Sequence, residues 1–295
     1  VAEVTRARLI ATDPLARIYQ AALRKDVRKA RDAYLATLID HELLEAIKRD
    51  EVRRAGEKSA KTVITTSHGV KVTSGQEGFV RRMILDDFRD TTDNLTAELQ
   101  LTIDTNNIKA YNLGGRAGQL RLGYRGVFDL RNAAVLDEIH ARAYGLSEFF
   151  ADDIVDGIVD EIAVGFYDKG QNPFEVARAI RGRFSEFEIS RSQNIARTEV
   201  NIMSETATFK QYSRVQIEYK EWLAFIDRKT RMDHRDVSED AIPMQEPFIM
   251  PHTGDAIMHP GDARAPARQL CRCRCTLLPV FKDVKIAEDK IWTGA

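Results

Sequence analysis

Val215-Gln-Ile-Glu-Tyr219-Lys-Glu-Trp-Leu-Ala-Phe225-Ile-Asp227-Arg-Lys-Thr-Arg231 is the stretch where the chain changes period. Before it, apolar residues recur at three- and four-residue spacing, as in helices with one buried face. From Val215 on, short runs rich in aromatic and branched residues alternate with Gly- and Pro-rich loops, which is the pattern of strands. Gln216 to Phe225 reads as a strand carrying Trp222 into a core, and Ile242 to Phe248 and Cys273 to Phe281 read as further strands. Helices followed by a small sheet make an α+β fold, helical over 126–214 and β-rich over 215–283.

Working back from that point, residues 132–214 read as a helical bundle. Asn132 caps a helix to about Tyr144, and Ser147 opens another to about Tyr167. Gly170 stops that helix, and Asn172-Pro173 starts the next, to about Phe184. Ser190 caps a fourth, with Ile195, Ile202 and Phe209 on its apolar stripe. Asn106 to Gly126, with Asn112-Leu-Gly-Gly-Arg-Ala-Gly118, reads as a flexible connector. It lacks the Gly-Lys-Ser/Thr ending of a nucleotide loop. Its arginines Arg116, Arg121 and Arg125 are candidates for contact with a DNA phosphate backbone. A helix precedes it from Phe79 to about Leu101, and Lys61 to Ser74 reads as a β-hairpin around Ser67-His68-Gly69, with His68 a turn residue. Pro14 to about Ala55 forms one long helix, opened by Asp13-Pro14, with a face dense in Arg, Lys and Glu. Its length is that of a projecting arm or coiled-coil anchor, and a solvated helix packed on its own domain is an equal alternative. The expected division is therefore 1–125, an arm with a hairpin and a Gly/Arg-rich connector, and 126–295, a single folded domain.

Composition limits the function. The chain has 295 residues, 43% hydrophobic and 30% charged, as a globular protein rich in exposed helix requires. Its net charge of −1 argues against a dedicated nucleic-acid coat, which would be clearly basic. No apolar run is long enough to span a bilayer, and Val1 to Ala30 lacks the apolar core of a signal peptide. The only cysteines, Cys271, Cys273 and Cys275, are too close together in sequence to staple a fold, so a reducing, intracellular setting is expected.

Three constellations could carry chemistry. Residues two apart on a strand face one side, so Cys273 and Cys275 would present their thiols together, with Arg274 opposite. Two thiolates supply half of a tetrahedral zinc site, which His234, His252 or His259 could complete. The other reading is a buried thiol pair packing as small apolar groups, with no cofactor. His252-Thr-Gly-Asp255 and His259-Pro-Gly-Asp262 could serve as metal ligands or as acid and base. Their Gly and Pro placement is equally what two tight turns demand. Arg197-Thr-Glu199 reads as a buried polar hub, with Arg197 bonding loop carbonyls and a carboxylate such as Asp227. No nucleophile, base and orienting group line up anywhere in the sequence.

The order of these pieces resembles a known family. Phe128-Asp-Leu-Arg-Asn132, Gly170-Gln-Asn-Pro-Phe-Glu-Val-Ala177, Ala196-Arg-Thr-Glu199, Tyr219 to Arg231, Pro243-Met-Gln-Glu-Pro-Phe248, Met258-His-Pro-Gly-Asp262 and Cys273-Arg-Cys-Thr-Leu-Leu-Pro279 follow one another as in the phage Mu F-like minor head protein family. The resemblance covers about 126–281. It implies a structural role: a minor head (capsid) protein of a tailed phage, inside the virion head near the portal vertex, made in the host cytoplasm. The implied partners are the portal protein, other head proteins and packaged DNA, with no membrane, and the implied role is head assembly with DNA packaging or ejection. Many members carry a Thr-Cys-x-x-Cys pair where this chain has Arg231 and His234. One ligand of a family-type zinc site would therefore be missing and the other an imidazole, leaving Cys273, Cys275, His234 and His259 as the metal candidates. Some members carry a C-terminal toxin, for which the residues after 281 leave no room. The competing reading is a metal-dependent hydrolase built on the His/Cys cluster.

Overall fold

The computed structural model describes residues 2–39, 63–65, 71–73, 89–124, 128, 132–163, 169, 173–238 and 241–281. The chain forms two compact units. One comprises residues 1–16, 107–132 and 197–295, the other 17–106 and 133–196. These units follow contacts between distant segments and cut across the expected split at 125/126.

The unit built from 17–106 and 133–196 is mainly helical. Helix α1 (Ala2–Ile39) starts before Pro14, which lies inside it. Asp13-Pro14 is therefore not the start expected from the sequence. A proline forfeits one backbone hydrogen bond, and here the helix continues through that loss. Its buried stripe, Tyr19, Leu23, Val27, Ala30 and Tyr34, keeps helical spacing. Tyr34 packs against Phe184, ring centroids 6.1 Å apart, and its hydroxyl meets Thr92 Oγ1 at 2.6 Å. Thr102 donates to Asp26, and Arg24 and Arg28 both pair with Glu188. From residue 17 on, α1 is thus part of a core, not a free arm. The expected extension to Ala55 lies outside the described residues. Strands β1 (Val63–Thr65) and β2 (Lys71–Thr73) pair antiparallel, as the hairpin pattern predicts; the turn with His68 lies outside the described residues.

Helix α2 (Arg89–Arg121) takes up residues 106–121 of the segment expected to be a flexible connector. Helix α3 (Ala133–Ala163) is likewise one helix where two were expected. Ser147 does not cap a new helix but returns its hydroxyl to the Tyr144 carbonyl at 2.7 Å, a bond that leaves the helix intact. Helix α4 (Pro173–Glu186) begins at the predicted proline. A π-helical turn (Phe187–Arg191) then joins it to α5 (Ser192–Arg214) without the break expected at Ser190. Such a turn accommodates an extra residue without ending the helix.

The other unit holds the sheet. Strands β3 (Tyr219–Leu223), β4 (Ala241–Pro243) and β7 (Thr276–Val280) form an antiparallel sheet in the order β4-β3-β7. Tyr219 faces Pro243 on one side and Val280 on the other. The run Ile242–Phe248, expected as one strand, divides between β4 and β5 (Phe248–Ile249), and β5 pairs with β6 (Ala256–Ile257). Two short helices, α6 (Met232–Asp236) and α7 (Ala267–Leu270), lie in the connections. The core comprises Tyr212, Trp222, Met244, Phe248, Met250, Ile257, Cys273, Cys275 and Leu277 among others.

Within this unit α2 and α5 approach closely. A Cβ on Gly114 would stand 1.9 Å from the Ser204 carbonyl oxygen, so only glycine fits. Thr208, one turn further along α5, donates to the Gly114 carbonyl at 3.0 Å. Glycines in the Asn112–Gly118 run thus serve helix contact, not flexibility. Glu205 on α5 ties that helix to β7. It accepts the Thr276 hydroxyl at 2.9 Å and the Leu277 amide at 2.7 Å.

Candidate functional site

The chemistry-bearing side chains gather where α6 meets the approach to β7. His234 sits on α6, and Cys273 and Cys275 sit just before β7, outside its pairing with β3. The geometry expected of a strand still holds in outcome. Both sulfurs reach the His234 Nδ1, at 3.6 Å from Cys273 and 3.4 Å from Cys275. One ligand atom from each of the three lies within 4.8 Å of the others, and all three residues are buried. Arg274 turns away, pairs with Asp227 at 2.7 Å and stacks over Phe225. Cys271 is exposed.

The imidazole is held from behind. His234 Nε2 lies 3.0 Å from Gln269 Oε1, and the Gln269 amide nitrogen donates to Asp233 at 2.8 Å and Asp255 at 3.0 Å. Carboxylates only accept, so these contacts fix which end of the Gln269 amide is nitrogen. Its oxygen must then face His234, which places the ring proton on Nε2 and a lone pair on Nδ1, toward the sulfurs. Burial opposes ionisation of Asp233, but bonds from Gln269, the His252 amide and Thr253 prevail and hold its carboxyl below the usual range. The Gln269 bond, helped by Arg268, does the same for Asp255. The Cys273 thiol is held well below its ordinary value, first by its hydrogen bond with Cys275 and then by His234. Burial pushes Cys275 up. Trp222 meets the imidazole edge-on at 4.9 Å.

The other sequence candidates separate. His259 is buried away from the sulfurs, stacked on Phe209 at 4.8 Å with Nδ1 against the Pro260 carbonyl. It is therefore not a ligand of the same centre. His252 pairs with Asp236. Asp262 accepts the Met258 amide and both the amide and the side chain of Arg264. The two His-x-Gly-Asp units are turns, with Gly254 and Gly261 at φ 71° and 72°. A hydrolytic constellation of all three histidines is not assembled.

The polar hub is also arranged differently. Arg197 is exposed, because the buried face of α5 passes through Ala196, Glu199, Val200 and Met203. It lines a cleft with Lys229, Arg231, Arg272 and Arg274. Arg274, not Arg197, partners Asp227 and pushes its carboxyl down to about 2. Glu199 is buried, as a hub carboxylate would be. Among the arginines proposed for DNA contact, Arg116 is exposed on α2, whereas Arg121 is turned inward and donates to the Leu277 carbonyl at 3.2 Å. Arg125 lies outside the described residues. Sequence reasoning missed Gln269, Asp233 and Glu205. Only Glu205 had a signal, a charged residue three positions after Ile202 on the apolar stripe of α5.

Residues 156–278 match the family described as Phage Mu protein F like protein. Over that stretch the chain is similar to the phage Mu F-like family. The matched stretch includes His234, Cys273, Cys275 and the network behind them. A relative from Bacillus subtilis (strain 168), named Uncharacterized protein YqbB, is 25% identical over 132 residues, which cover 44% of this chain and 43% of the relative. The chain thus spans less than half the length of that curated relative. No solved structure matches. Phage Mu F-like proteins form a family of phage head morphogenesis. Among the described residues, no helix is long and apolar enough to cross a membrane.

Proposed function

We propose that the protein is a minor head protein of a tailed phage, a low-copy structural component inside the head, close to the portal vertex, that acts in head assembly. The family match over 156–278 carries this reading. The arrangement of the unit that holds the sheet supports it. Its buried polar groups, Glu205 bridging α5 to β7 and Gln269 behind His234, are engaged in holding elements together. The histidines a hydrolase would need are dispersed among turns and core. Contact with the portal and a part in DNA packaging or ejection follow from the same reading. The test is to purify heads from a producing host, quantify this chain against the major capsid protein, and mix the purified chain with its portal. Low-copy incorporation and co-migration with the portal are expected. Heads that assemble and package without the chain, or a chain absent from purified heads, would overturn the proposal.

A further inference from the structure

We propose that His234, Cys273 and Cys275 form a binding site for a thiophilic divalent cation, with zinc the natural occupant. The spacing carries the first part of the argument. A tetrahedral centre with zinc–sulfur bonds of about 2.3 Å and zinc–nitrogen bonds of about 2.0 Å has nitrogen-to-sulfur edges of about 3.5 Å. The edges from His234 Nδ1 are 3.6 and 3.4 Å. Two sulfurs converge on the same imidazole nitrogen. A cation at the centre would serve all three donors at once.

The second part is independent of those distances. A histidine ligand needs its distal nitrogen held by an acceptor, so that the other nitrogen keeps its lone pair for the metal. Gln269 Oε1 is that acceptor, and Asp233 and Asp255 lock the orientation of its amide. Charge agrees as well. Two thiolates and one divalent ion form a neutral group, which a buried site tolerates where an uncompensated thiolate pair would not be. The site would join α6 to the approach to β7, linking residues 39 and 41 positions apart in sequence. Three protein donors leave one position for a solvent ligand. None of this depends on the head-protein reading.

The test uses the full chain, purified under reducing conditions without chelator and then equilibrated with zinc. We expect about one zinc per chain after dialysis, and an X-ray absorption spectrum with two sulfurs and one imidazole in the first shell. Cobalt should replace zinc with intense thiolate-to-metal charge-transfer bands. His234→Ala and the Cys273→Ser/Cys275→Ser pair should each weaken retention by about tenfold or more, and Gln269→Leu should weaken it while leaving all three ligands in place. Should the ligand variants fail to fold, the wild-type absorption and cobalt spectra still decide. A folded, reduced chain that holds no zinc, or holds it through nitrogen and oxygen alone, overturns the proposal.

Discussion

Glu205 and Lys220 are buried ionisable side chains, and each sets a measurable term in stability. Glu205 is 1% exposed and accepts from both Thr276 and the Leu277 amide. Glu205→Ala would strand that amide and leave the nearby Arg121 with less countercharge, so a loss of about 3–5 kcal/mol is expected. Glu205→Gln keeps one acceptor and should cost about 1–2 kcal/mol. Urea titration of both variants checks the order. Lys220 is fully buried, donates to the Met258 carbonyl at 2.7 Å and lies over Phe209 and Phe248. Burial pushes its pKa down to about 8, against the pull of Asp262 and Glu246, and His259 is the other titratable group facing it. Below that value the lysine is charged in both folded and unfolded chains, and the folded chain bears the burial penalty. As pH rises from about 8 toward 10.5, the folded chain releases its proton while the unfolded chain keeps it. Stability relative to Lys220→Met should therefore rise over that window, by up to about 3 kcal/mol. Denaturation of both proteins at neutral pH and near pH 10 measures it; a constant difference would refute the shift.

At the scale of elements, the contact of α2 with α5 shows how glycine misleads a reading by composition. In Asn112–Gly118, glycine density reads as a loop, because isolated glycines do weaken helices. The structure spends those glycines on close approach instead. Gly114→Ala would drive a methyl group into the Ser204 backbone, a clash no side-chain rotation relieves, and should cost about 3 kcal/mol. Gly118 is the control. A Cβ there would meet Thr208 Cα at 3.4 Å, an ordinary contact, and alanine gains up to about 1 kcal/mol of helix propensity. Gly118→Ala should be neutral or stabilising, and equal losses at both positions would contradict the packing argument. Other elements were legible for a clear physical reason. The change of period near Val215 marks β3, and Asn172-Pro173 marks the start of α4, because both signals are local. Cys273 and Cys275 were expected together from a two-residue spacing, and their sulfurs do converge on His234, although the strand itself begins only at Thr276. Gln269 could not be read, since nothing near Ala267–Leu270 announces an amide fixed by one carboxylate from α6 and another from the loop before β6. Arg197 was misplaced because a charge on a helix shows its face only when the buried stripe is known residue by residue.

At the scale of the whole molecule, sequence order and spatial order part company. Period and composition suggest a boundary near 125, yet residues 107–132 fold with 197–295, and residues 17–106 fold with 133–196. Local patterns carry no information about which distant segment fills a core, so this assembly was not legible. It decides between the two expectations for the N-terminal helix, in favour of the packed one. A projecting arm could be removed without harm to the rest. Instead Tyr19, Leu23, Val27 and Tyr34 are 0% exposed, and Tyr34 packs on Phe184 while Arg24 and Arg28 pair with Glu188. Deleting residues 1–55 would remove that side of the core and leave the apolar faces of 133–196 open to water. Each large apolar side chain lost from a core costs about 2–5 kcal/mol, so the sum exceeds the whole stability of an ordinary domain. The truncated chain is expected to lose cooperative unfolding for the unit of 17–106 and 133–196. A milder probe separates this from chain-length effects: Tyr19→Ala with Leu23→Ala, in the full chain, should lower the melting temperature sharply. A cooperative, undiminished transition in the deletion would show that α1 is an accessory arm after all.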